Sequence, residues 1–415
     1  MSIQADPRGL VQAARKLSAV LVLAALPVVL TGLVLRWTAG GSTFVSDFHG
    51  DLYSAGKAIL AGQDPYRDAF LAHLAAVARA GGHASTTFAV PVYPAPDLLA
   101  TVPLAALPFR LAGWLFTALG IGAFCVGLRL LGVRDWRCYG AAFLSWPLLH
   151  TLRLGQVNEF LVLAAAFGWR WRERVLPAAL AVAAAVAGKL FLWPLWLFWA
   201  MRRRWRTAAL AVGLGVAGVL AAWAVIGFDG FSAYPRMLGD LSAVEAKAGI
   251  SFASWGAALG VSGAAATVAA VVAAAGLLAL AFESLRKVRG ELGERAAYGL
   301  LVVAGIASSS LVWPHYLVLL YVPIALLSPN IGPLWLVPLI GYLAPVELTQ
   351  GQLGNLLPYG LIELLVTGAL VRPLLRDRLS AVLPDRLGVA EAIGRLRHGL
   401  RSTRFRFGHR GEAAD

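Results

Sequence analysis

The sequence is poor in charged residues and in cysteine, and both shortages narrow the class of protein. Only 14% of the 415 residues are charged, against 59% that are hydrophobic, and the mean hydropathy is +0.71. A soluble domain carries about a quarter charged residues, so this composition excludes a soluble protein. Two cysteines, Cys125 and Cys138, are too few to indicate a disulfide framework or a metal cluster.

What the chain has instead is a series of long apolar runs separated by short arginine-rich clusters. Because unpaired backbone groups are not tolerated in lipid, this pattern predicts an all-α polytopic membrane protein. The net charge is +14, and the basic residues lie mainly between the apolar runs and in the tail. That distribution is typical of the positive-inside rule, and we therefore expect no nucleic-acid partner.

The N-terminal segment predicts the orientation of the chain. Arg8, Arg15 and Lys16 precede an apolar run at residues 17–35, which has membrane length and no clear small-residue cleavage site. We interpret it as a retained first helix with its N-terminus in the cytoplasm. Residues 37–97 then form the first outer loop.

The later charge clusters predict the rest of the topology. Residues 175–201 lie between two arginine clusters, and one span cannot place both ends on the same side. We therefore predict a hairpin of two short helices that turns near Lys189. Residues 98–167 do not resolve into a definite number of crossings, so the prediction for the membrane domain, residues 1–371, is a bundle of roughly 11 to 13 transmembrane helices. The basic tail, residues 372–415, is predicted to lie on the cytoplasmic side against anionic lipid.

Two carboxylates stand where the chain first emerges from the membrane. Ionisable residues near membrane depth are functional candidates, and Asp47 and Asp51 are the first candidates for a catalytic base. Residues 52–61 have the helical spacing of an interfacial helix, which an aspartate could merely cap. Asp51 fits the capping role better because it lies closer to the apolar face, which leaves Asp47 as the stronger chemical candidate.

A polar island between two apolar runs supplies further candidates. It comprises Arg153, Gln156, Asn158 and Glu159, whose amides and guanidinium suit a phosphate or sugar hydroxyls. A surface loop could hold the same residues at no cost. Tyr93, in Tyr93-Pro94-Ala95-Pro96, could form either a rigid entry turn or the aromatic wall of a cleft.

Two basic side chains complete the set of candidates. Lys189, at the tip of the predicted hairpin, could snorkel to the interface or contact an anionic lipid head. His315, in Trp313-Pro314-His315-Tyr316, could belong to an interfacial aromatic belt, or it could donate to a phosphate or a leaving group. Nearly all candidates fall at the outer end of their segments, which favours one joint site.

The order and spacing of these motifs resemble a known family. In chain order they are Asp47 after the first span, Ala58-Ile59-Leu60-Ala61-Gly62-Gln63-Asp64-Pro65-Tyr66, Tyr93-Pro94-Ala95-Pro96, Leu154-Gly155-Gln156-Val157-Asn158, Ala187-Gly188-Lys189, and Trp313-Pro314-His315-Tyr316. The pattern is similar to glycosyltransferase family 87, the polyprenyl-phosphate-mannose-dependent mannosyltransferases of the GT-C superfamily. One departure is the interval His49-Gly50-Asp51-Leu52, which is longer than the family's usual spacing between this Asp and the interfacial helix.

The resemblance implies a GT-C-like fold and an inverting transfer of a sugar on the outer face of the cytoplasmic membrane. Asp47 matches the family's general base, with Asp51 as the alternative, and Lys189 and His315 match polar positions that would bind the donor phosphate. Arg153 joins them from local chemistry alone. Tyr93, Gln156, Asn158 and Glu159 would contact the substrates.

The expected partners are a polyprenyl phosphate sugar, a glycolipid or glycan acceptor, and membrane lipids. The donor sugar is expected to be mannose, with arabinofuranose as the alternative. No cofactor is implied, although a divalent cation at Asp47 and Asp51 stays open. The competing functional class is a transporter or flippase of a lipid-linked or small polar solute, which would place its polar residues on broken helices at the bilayer midplane.

Overall fold

The computed structural model describes residues 7–40, 44–66, 68–79, 92–246, 248–344 and 351–382. Within these ranges the secondary structure is entirely helical, as predicted for an all-α protein. The α-helices are α1 (Pro7–Val20), α2 (Leu26–Ala39), α3 (Ser54–Leu60), α4 (Asp68–Arg79), α5 (Ala95–Ala105), α6 (Phe109–Leu130), α7 (Trp136–Phe143), α8 (Trp146–Leu154), α9 (Asn158–Arg170), α10 (Val175–Gly188), α11 (Leu197–Met201), α12 (Trp205–Val225), α13 (Tyr234–Glu245), α14 (Phe252–Leu259), α15 (Gly263–Lys287), α16 (Glu291–Ser308), α17 (Tyr321–Leu327) and α18 (Leu353–Val382).

Several α-helices are joined or extended by turns of other helical types. Leu21–Ala25 and Phe48–Tyr53 are π-helical, and Leu190–Trp196, Pro314–Leu320 and Pro333–Leu343 are 3₁₀-helical. The first π-helical segment joins α1 to α2 without a break.

Five helices among the described residues are long and apolar enough to cross a bilayer. They are Lys16–Ala39, Phe109–Leu130, Trp205–Val225, Gly263–Lys287 and Leu353–Arg376. Five further apolar helical segments have 10 to 17 residues: Ala95–Ala105, Val175–Gly188, Leu190–Met201, Pro314–Leu327 and Pro333–Leu343. This set confirms a polytopic membrane protein, whereas the total of roughly 11 to 13 crossings stays a prediction.

The predicted hairpin near Lys189 is present. α10 ends at Gly188, Lys189 has an extended backbone, and the chain turns back through the 3₁₀ segment into α11. The far ends of the hairpin are held together, since Arg202 Nη2 donates to Glu173 at 2.8 Å. One end of the hairpin therefore carries Lys189 and the other carries the arginine clusters.

The region that the sequence left unresolved, residues 98–167, folds as five helices. α6 begins after Pro108, and α7 and α8 are two short helices of which α7 is capped by Asp135, whose carboxyl accepts the amide of Arg137 at 3.1 Å. α8 ends at Leu154 with Gly155 as its C-cap, and α9 begins at Asn158, three residues after Gly155. α9 packs against both α6 and α10, so the polar island lies at one end of a packed set of helices.

The chain divides into two units, Met1–Pro373 and Leu374–Asp415. The first holds the core, to which α16, α17 and the 3₁₀ segment between them contribute many fully buried side chains. The described part of the second unit, residues 374–382, is helical. Residues 383–415, most of the predicted cytoplasmic tail, lie outside the described residues.

Candidate active site

Asp47 directly precedes the π-helical turn Phe48–Tyr53, which continues into α3. The amide of Ser54 bonds the carbonyl oxygen five residues back, as a π-helix requires. Phe48 is fully buried, and its ring stacks on that of Phe116 in α6, with 4.4 Å between the ring centroids. This packing fixes the position of Asp47 against the bundle.

The early start of this helix corrects the interpretation of Asp51. The predicted helix begins at residue 52, but the observed one begins at Phe48 because Phe48 and Leu52 both bury their side chains. Asp51 therefore lies inside the helix and cannot be its N-cap. Asp47 also has helical backbone angles, and its side chain makes no capping hydrogen bond.

The turn between α8 and α9 brings the polar island against Asp47. Gly155 ends α8 with a left-handed backbone, φ +70°, a region that costs other residues roughly 1–2 kcal/mol. A Cβ atom there would lie 2.7 Å from Cβ of Val45 and 2.8 Å from Cβ of Phe48. Only glycine permits this approach, which places Gln156 beside Asp47.

A chain of hydrogen bonds connects three of the predicted site residues. The hydroxyl of Tyr93 donates to Oε1 of Gln156, and Nε2 of Gln156 donates to Oδ2 of Asp47. The other oxygen of Asp47 accepts a bond from Ser46 Oγ at 3.1 Å. Because Tyr93 and Gln156 are buried, this chain orients the Asp47 carboxyl with little freedom.

Lys189 extends into the same cluster from the hairpin tip. Its ammonium donates to the hydroxyl of Tyr316 at 2.7 Å and lies 4.9 Å from the centroid of the Tyr93 ring. Its charge interacts with the carboxyl groups of Asp97, Asp47 and Asp51. The buried ammonium is therefore held by aromatic rings and faces three carboxyl groups, which does not resemble a side chain that snorkels to the surface.

The backbone of His315 is tied to the polar island. Its carbonyl oxygen accepts hydrogen bonds from Thr151 Oγ1 at 3.1 Å and from Asn158 Nδ2 at 3.2 Å. The imidazole is buried between two rings, with centroids 5.5 Å from His150 and 5.8 Å from Trp313. Neither ring nitrogen of His315 has a hydrogen-bond partner among the described residues, so both are available to a ligand that enters.

The surroundings raise the pKa of both aspartates, and they raise that of Asp51 more strongly. Burial raises the pKa of Asp47, while hydrogen bonds from Ser46 and Gln156 and the charges of Lys189 and Arg153 act against that rise. Burial raises the pKa of Asp51 well above its usual range, and the neighbouring charge of Asp47 raises it further. Of the two, Asp47 is the carboxyl whose ionised form the surroundings oppose less strongly.

The remaining predicted residues take different positions. Arg153 lies close enough to Asp47 for its charge to act on that carboxyl. Asn158 is fully buried, and its side-chain amide donates to the backbone carbonyl of His315 rather than pointing into open space. Glu159 is not brought to the cluster: its carboxyl packs beside Gly120 of α6, where an added Cβ would lie 3.6 Å from Oε1.

Three further side chains lie at the site: Asp97, Glu245 and His150. Asp97 lies beside the hairpin tip, with Oδ1 3.2 Å from where a Cβ on Gly188 would be. Glu245, at the end of α13, accepts the indole N–H of Trp313, and burial raises its pKa. His150 contacts His315 edge to face. Sequence spacing gives no signal for Glu245 or His150, because both join the site only through long-range packing.

The donor set does not form an evident metal centre. Among the described residues, no group of three or more His, Cys, Asp and Glu is placed to hold a metal ion. The carboxyl groups of Asp47 and Asp51 interact with the charge of Lys189.

An apolar groove of about 900 Å³ lies next to this site. It is bounded by α14, α15, α16 and α18 and includes Ala273, Leu277 and Val312. Val312 directly precedes the Trp313-Pro314-His315 segment, and its carbonyl accepts the amide of Ile250 at 2.7 Å. The wall of the groove is thus continuous with the backbone that carries His315.

Comparison with known proteins gives one match. The model of glycosyltransferase family 87 matches residues 92–314, which is more than half of the chain. The matched range contains Tyr93, Gln156 and Lys189, begins after Asp47 and ends one residue before His315. No curated protein and no solved structure matches the chain.

Proposed function

The chain belongs to glycosyltransferase family 87, and on that premise we propose that it transfers mannose from a polyprenyl phosphate donor to an acceptor hydroxyl, with inversion. Membership of this family identifies a membrane glycosyltransferase, which sets aside the transporter as the alternative. The donor, the sugar, the outer-face location and the residue roles that follow are parts of the proposal.

Asp47 is the proposed general base. As the acceptor oxygen attacks the anomeric carbon, its O–H bond breaks and the proton passes to the Asp47 carboxylate. The new glycosidic bond forms on the face opposite the phosphate, and the bond between the anomeric carbon and the phosphate oxygen breaks. The phosphate leaves with the bonding electrons. Because the acceptor attacks from the opposite face, the configuration of the anomeric carbon inverts.

The leaving phosphate gains negative charge and is stabilised by positive charge or hydrogen-bond donors. Lys189, His315 and Arg153 have these roles in the proposal. The buried ammonium of Lys189 and the unpartnered ring nitrogens of His315 support it. Tyr93 and Gln156 orient the base, whereas Asn158 acts through the His315 backbone.

The observation that carries the proposal is the hydrogen-bond chain from Tyr93 through Gln156 to Asp47, beside Lys189. It couples a base and a cation in one partly buried cluster, as a displacement at a sugar phosphate requires. The same chain supports Asp47 over Asp51. The hydrogen bond from Gln156 stabilises the ionised carboxyl of Asp47, whereas the pKa of Asp51 is raised more strongly.

The adjoining groove supports a lipid-linked donor. Its lining is almost entirely apolar, and it leads to the segment that carries His315. A polyprenyl chain in this groove would place its phosphate near the proposed phosphate-binding residues. A water-soluble sugar nucleotide has no long apolar chain that could bury such a surface.

The direct test is turnover with defined substrates. Purified protein in lipid nanodiscs is incubated with radiolabelled polyprenyl phosphate mannose and a lipid extract, and the labelled product is identified. We expect transfer by the native protein and a loss of at least about a hundredfold in Asp47→Asn. Asp51→Asn should retain most of the activity.

The control is Asp229→Asn, because Asp229 is an exposed acidic residue, and this variant should behave as the native protein. Full activity in Asp47→Asn, or loss in Asp51→Asn alone, would contradict the assignment of the base. Transfer from polyprenyl phosphate arabinofuranose but not from the mannose donor would overturn the choice of sugar and leave the base assignment intact.

A further inference from the structure

A second cavity, which is lined by charged residues, lies at the opposite end of α9, α10 and α16 from the candidate active site. It has a volume of about 660 Å³, and four arginines line it: Arg172, Arg202, Arg286 and Arg289. α16 has 18 residues, about 27 Å at 1.5 Å per residue, which is close to the thickness of the hydrocarbon core. The cavity is therefore well separated from the cluster around Asp47.

The cavity is framed by an ion-pair network that joins the turn after α9, the turn after α11 and the first turn of α16. Arg172 Nε lies 3.0 Å from Glu294, Arg202 Nη2 lies 2.7 Å from Glu294 and 2.8 Å from Glu173, and Arg204 also contacts Glu173. The third carboxylate of the network, Glu291, pairs with Arg172 at 3.3 Å. These pairs position the cavity wall.

Positive charge is in excess in this region. The three glutamates of the network are each shared by two or more arginines, including Arg295, which pairs with Glu291 at 3.4 Å. Among the described residues Arg286 pairs with Glu283 alone, at 3.9 Å, and Glu283 also pairs with Lys287 at 2.6 Å. Nothing acidic within ion-pair distance of Arg289 is found in the described ranges. The cluster thus carries more cationic than anionic groups around a space large enough for a ligand.

Two of the guanidinium groups are already ordered. Arg172 stacks over the Trp169 ring at 4.1 Å, and Arg202 lies 5.3 Å from the Phe198 ring. Arg202 Nη1 is buried and has no hydrogen-bond partner among the described residues. A group that is fixed and unsatisfied binds an anion at a smaller entropic cost than a free surface side chain does.

We propose that this cavity binds a phosphate group, with Arg286 and Arg289 as its accessible ligands and Arg202 as its fixed donor. Arginine suits phosphate because its fork of N–H groups can donate two hydrogen bonds at once. The phosphate could belong to the headgroup of an anionic lipid or to a small soluble phosphate. The cavity stands at the end of α15, a candidate membrane span, which is the depth of lipid headgroups.

The test compares two variants in nanodiscs. Arg286→Gln with Arg289→Gln removes two accessible arginines without breaking the pairs of Glu173, Glu291 or Glu294. Arg134→Gln is the control, because Arg134 is also exposed but lies in the turn before α7. Thermal unfolding is measured in phosphatidylcholine nanodiscs, with phosphatidylglycerol added to the nanodisc in one arm and inorganic phosphate or pyrophosphate added to the buffer in the other.

We expect one of the two additions to raise the unfolding temperature of the native protein and of Arg134→Gln. The concentration needed for the same rise should increase about tenfold or more in the double variant. A response to phosphatidylglycerol alone assigns the site to a lipid headgroup, and a response to inorganic phosphate assigns it to a soluble ligand. Equal responses in the double variant and the control overturn the proposal. Because the proposal does not involve Asp47, its failure leaves the sugar-transfer assignment untouched.

Discussion

The carboxyl groups of Asp47 and Asp51 share one partly buried helical turn, and burial opposes the ionisation of both. Asp47 has compensation from two hydrogen bonds and two cations, whereas for Asp51 only Lys189 acts against the rise in pKa. A base must be ionised before it accepts a proton. The surroundings therefore oppose the ionisation of Asp51 more strongly than that of Asp47.

This difference predicts a pH-dependent gain in stability for Asp51→Asn. The folded protein holds the Asp51 proton more tightly than the unfolded chain does, so the contribution of Asp51 is most favourable below its unfolded pKa of about 4. That contribution is lost as pH rises through the raised folded pKa. Asparagine has no proton to lose, so the variant should unfold at a higher temperature than the native protein at pH 8, and the two should converge near pH 4.

The measurement is thermal unfolding in nanodiscs across that pH range, with Asp229→Asn as the exposed control. A constant difference between Asp51→Asn and the native protein at every pH would show that Asp51 does not titrate as described.

At the level of single residues, the sequence predicted those whose position follows from a local motif. Tyr93, Gln156 and Lys189 were found in this way, and the structure brings them together. Glu159 was chosen by the same reasoning but faces α6, because it lies one residue into α9 beyond Asn158 and so points in another direction. Glu245 could not be found from sequence, because its contact with Trp313 joins elements distant in the chain.

Among the structural elements, the turn between α8 and α9 is the one in which an added side-chain atom is least tolerated. We predict that Gly155→Ala lowers turnover severely and lowers the unfolding temperature, because the new Cβ collides with Val45 and Phe48 in addition to the left-handed strain. Gly260→Ala is the matched control: Gly260 also ends a helix with φ +68°, but a Cβ there meets nothing within 4 Å.

The two glycine variants should therefore separate strain from collision. Gly260→Ala should show a modest loss of stability, on the order of 1–2 kcal/mol, and near-native turnover. Similar effects of both variants on turnover would mean that the contact of Gly155 with the Asp47 turn is not required.

The groove beside the site predicts a dependence on the length of the donor chain. Ala273→Trp would fill part of the groove. Val272→Trp introduces the same side chain at the neighbouring position of α15, which is 65% exposed and does not line the groove. We expect Ala273→Trp to raise KM for a long polyprenyl phosphate mannose severalfold and to leave KM for a short-chain analogue unchanged. Equal changes with both donors would place the chain elsewhere.

The helical elements were predicted most accurately where charge constrained them. Arginine clusters on both sides of residues 175–201 required a hairpin, and the structure has it. Residues 98–167 offered no such constraint, because arginines stand at both ends of α6 and around two short helices, α7 and α8. Short helices that end inside a bundle leave no charge signature, so their number could not be read from the sequence.

For the molecule as a whole, the charge pattern predicts that the two ends of the packed helices face opposite sides of the membrane. In a variant without Cys125 and Cys138, a cysteine introduced by Asp229→Cys should react with a membrane-impermeant maleimide in intact cells. A cysteine introduced by Arg174→Cys, which is equally exposed in the structure, should react only after the membrane is opened. The reverse pattern would invert the proposed orientation and place the site around Asp47 in the cytoplasm.

The π-helical turn after Asp47 has a consequence for how this gene can change. A π-turn contains one residue more than the α-helical turn it replaces, which accounts for the long interval at His49–Leu52. Removal of a single codon there would replace the wide turn by an α-helical one and shorten the spacing between Phe48 and Leu52, which both pack into the bundle. We therefore expect related genes that keep this activity to show no one-residue gap between Asp47 and Ser54.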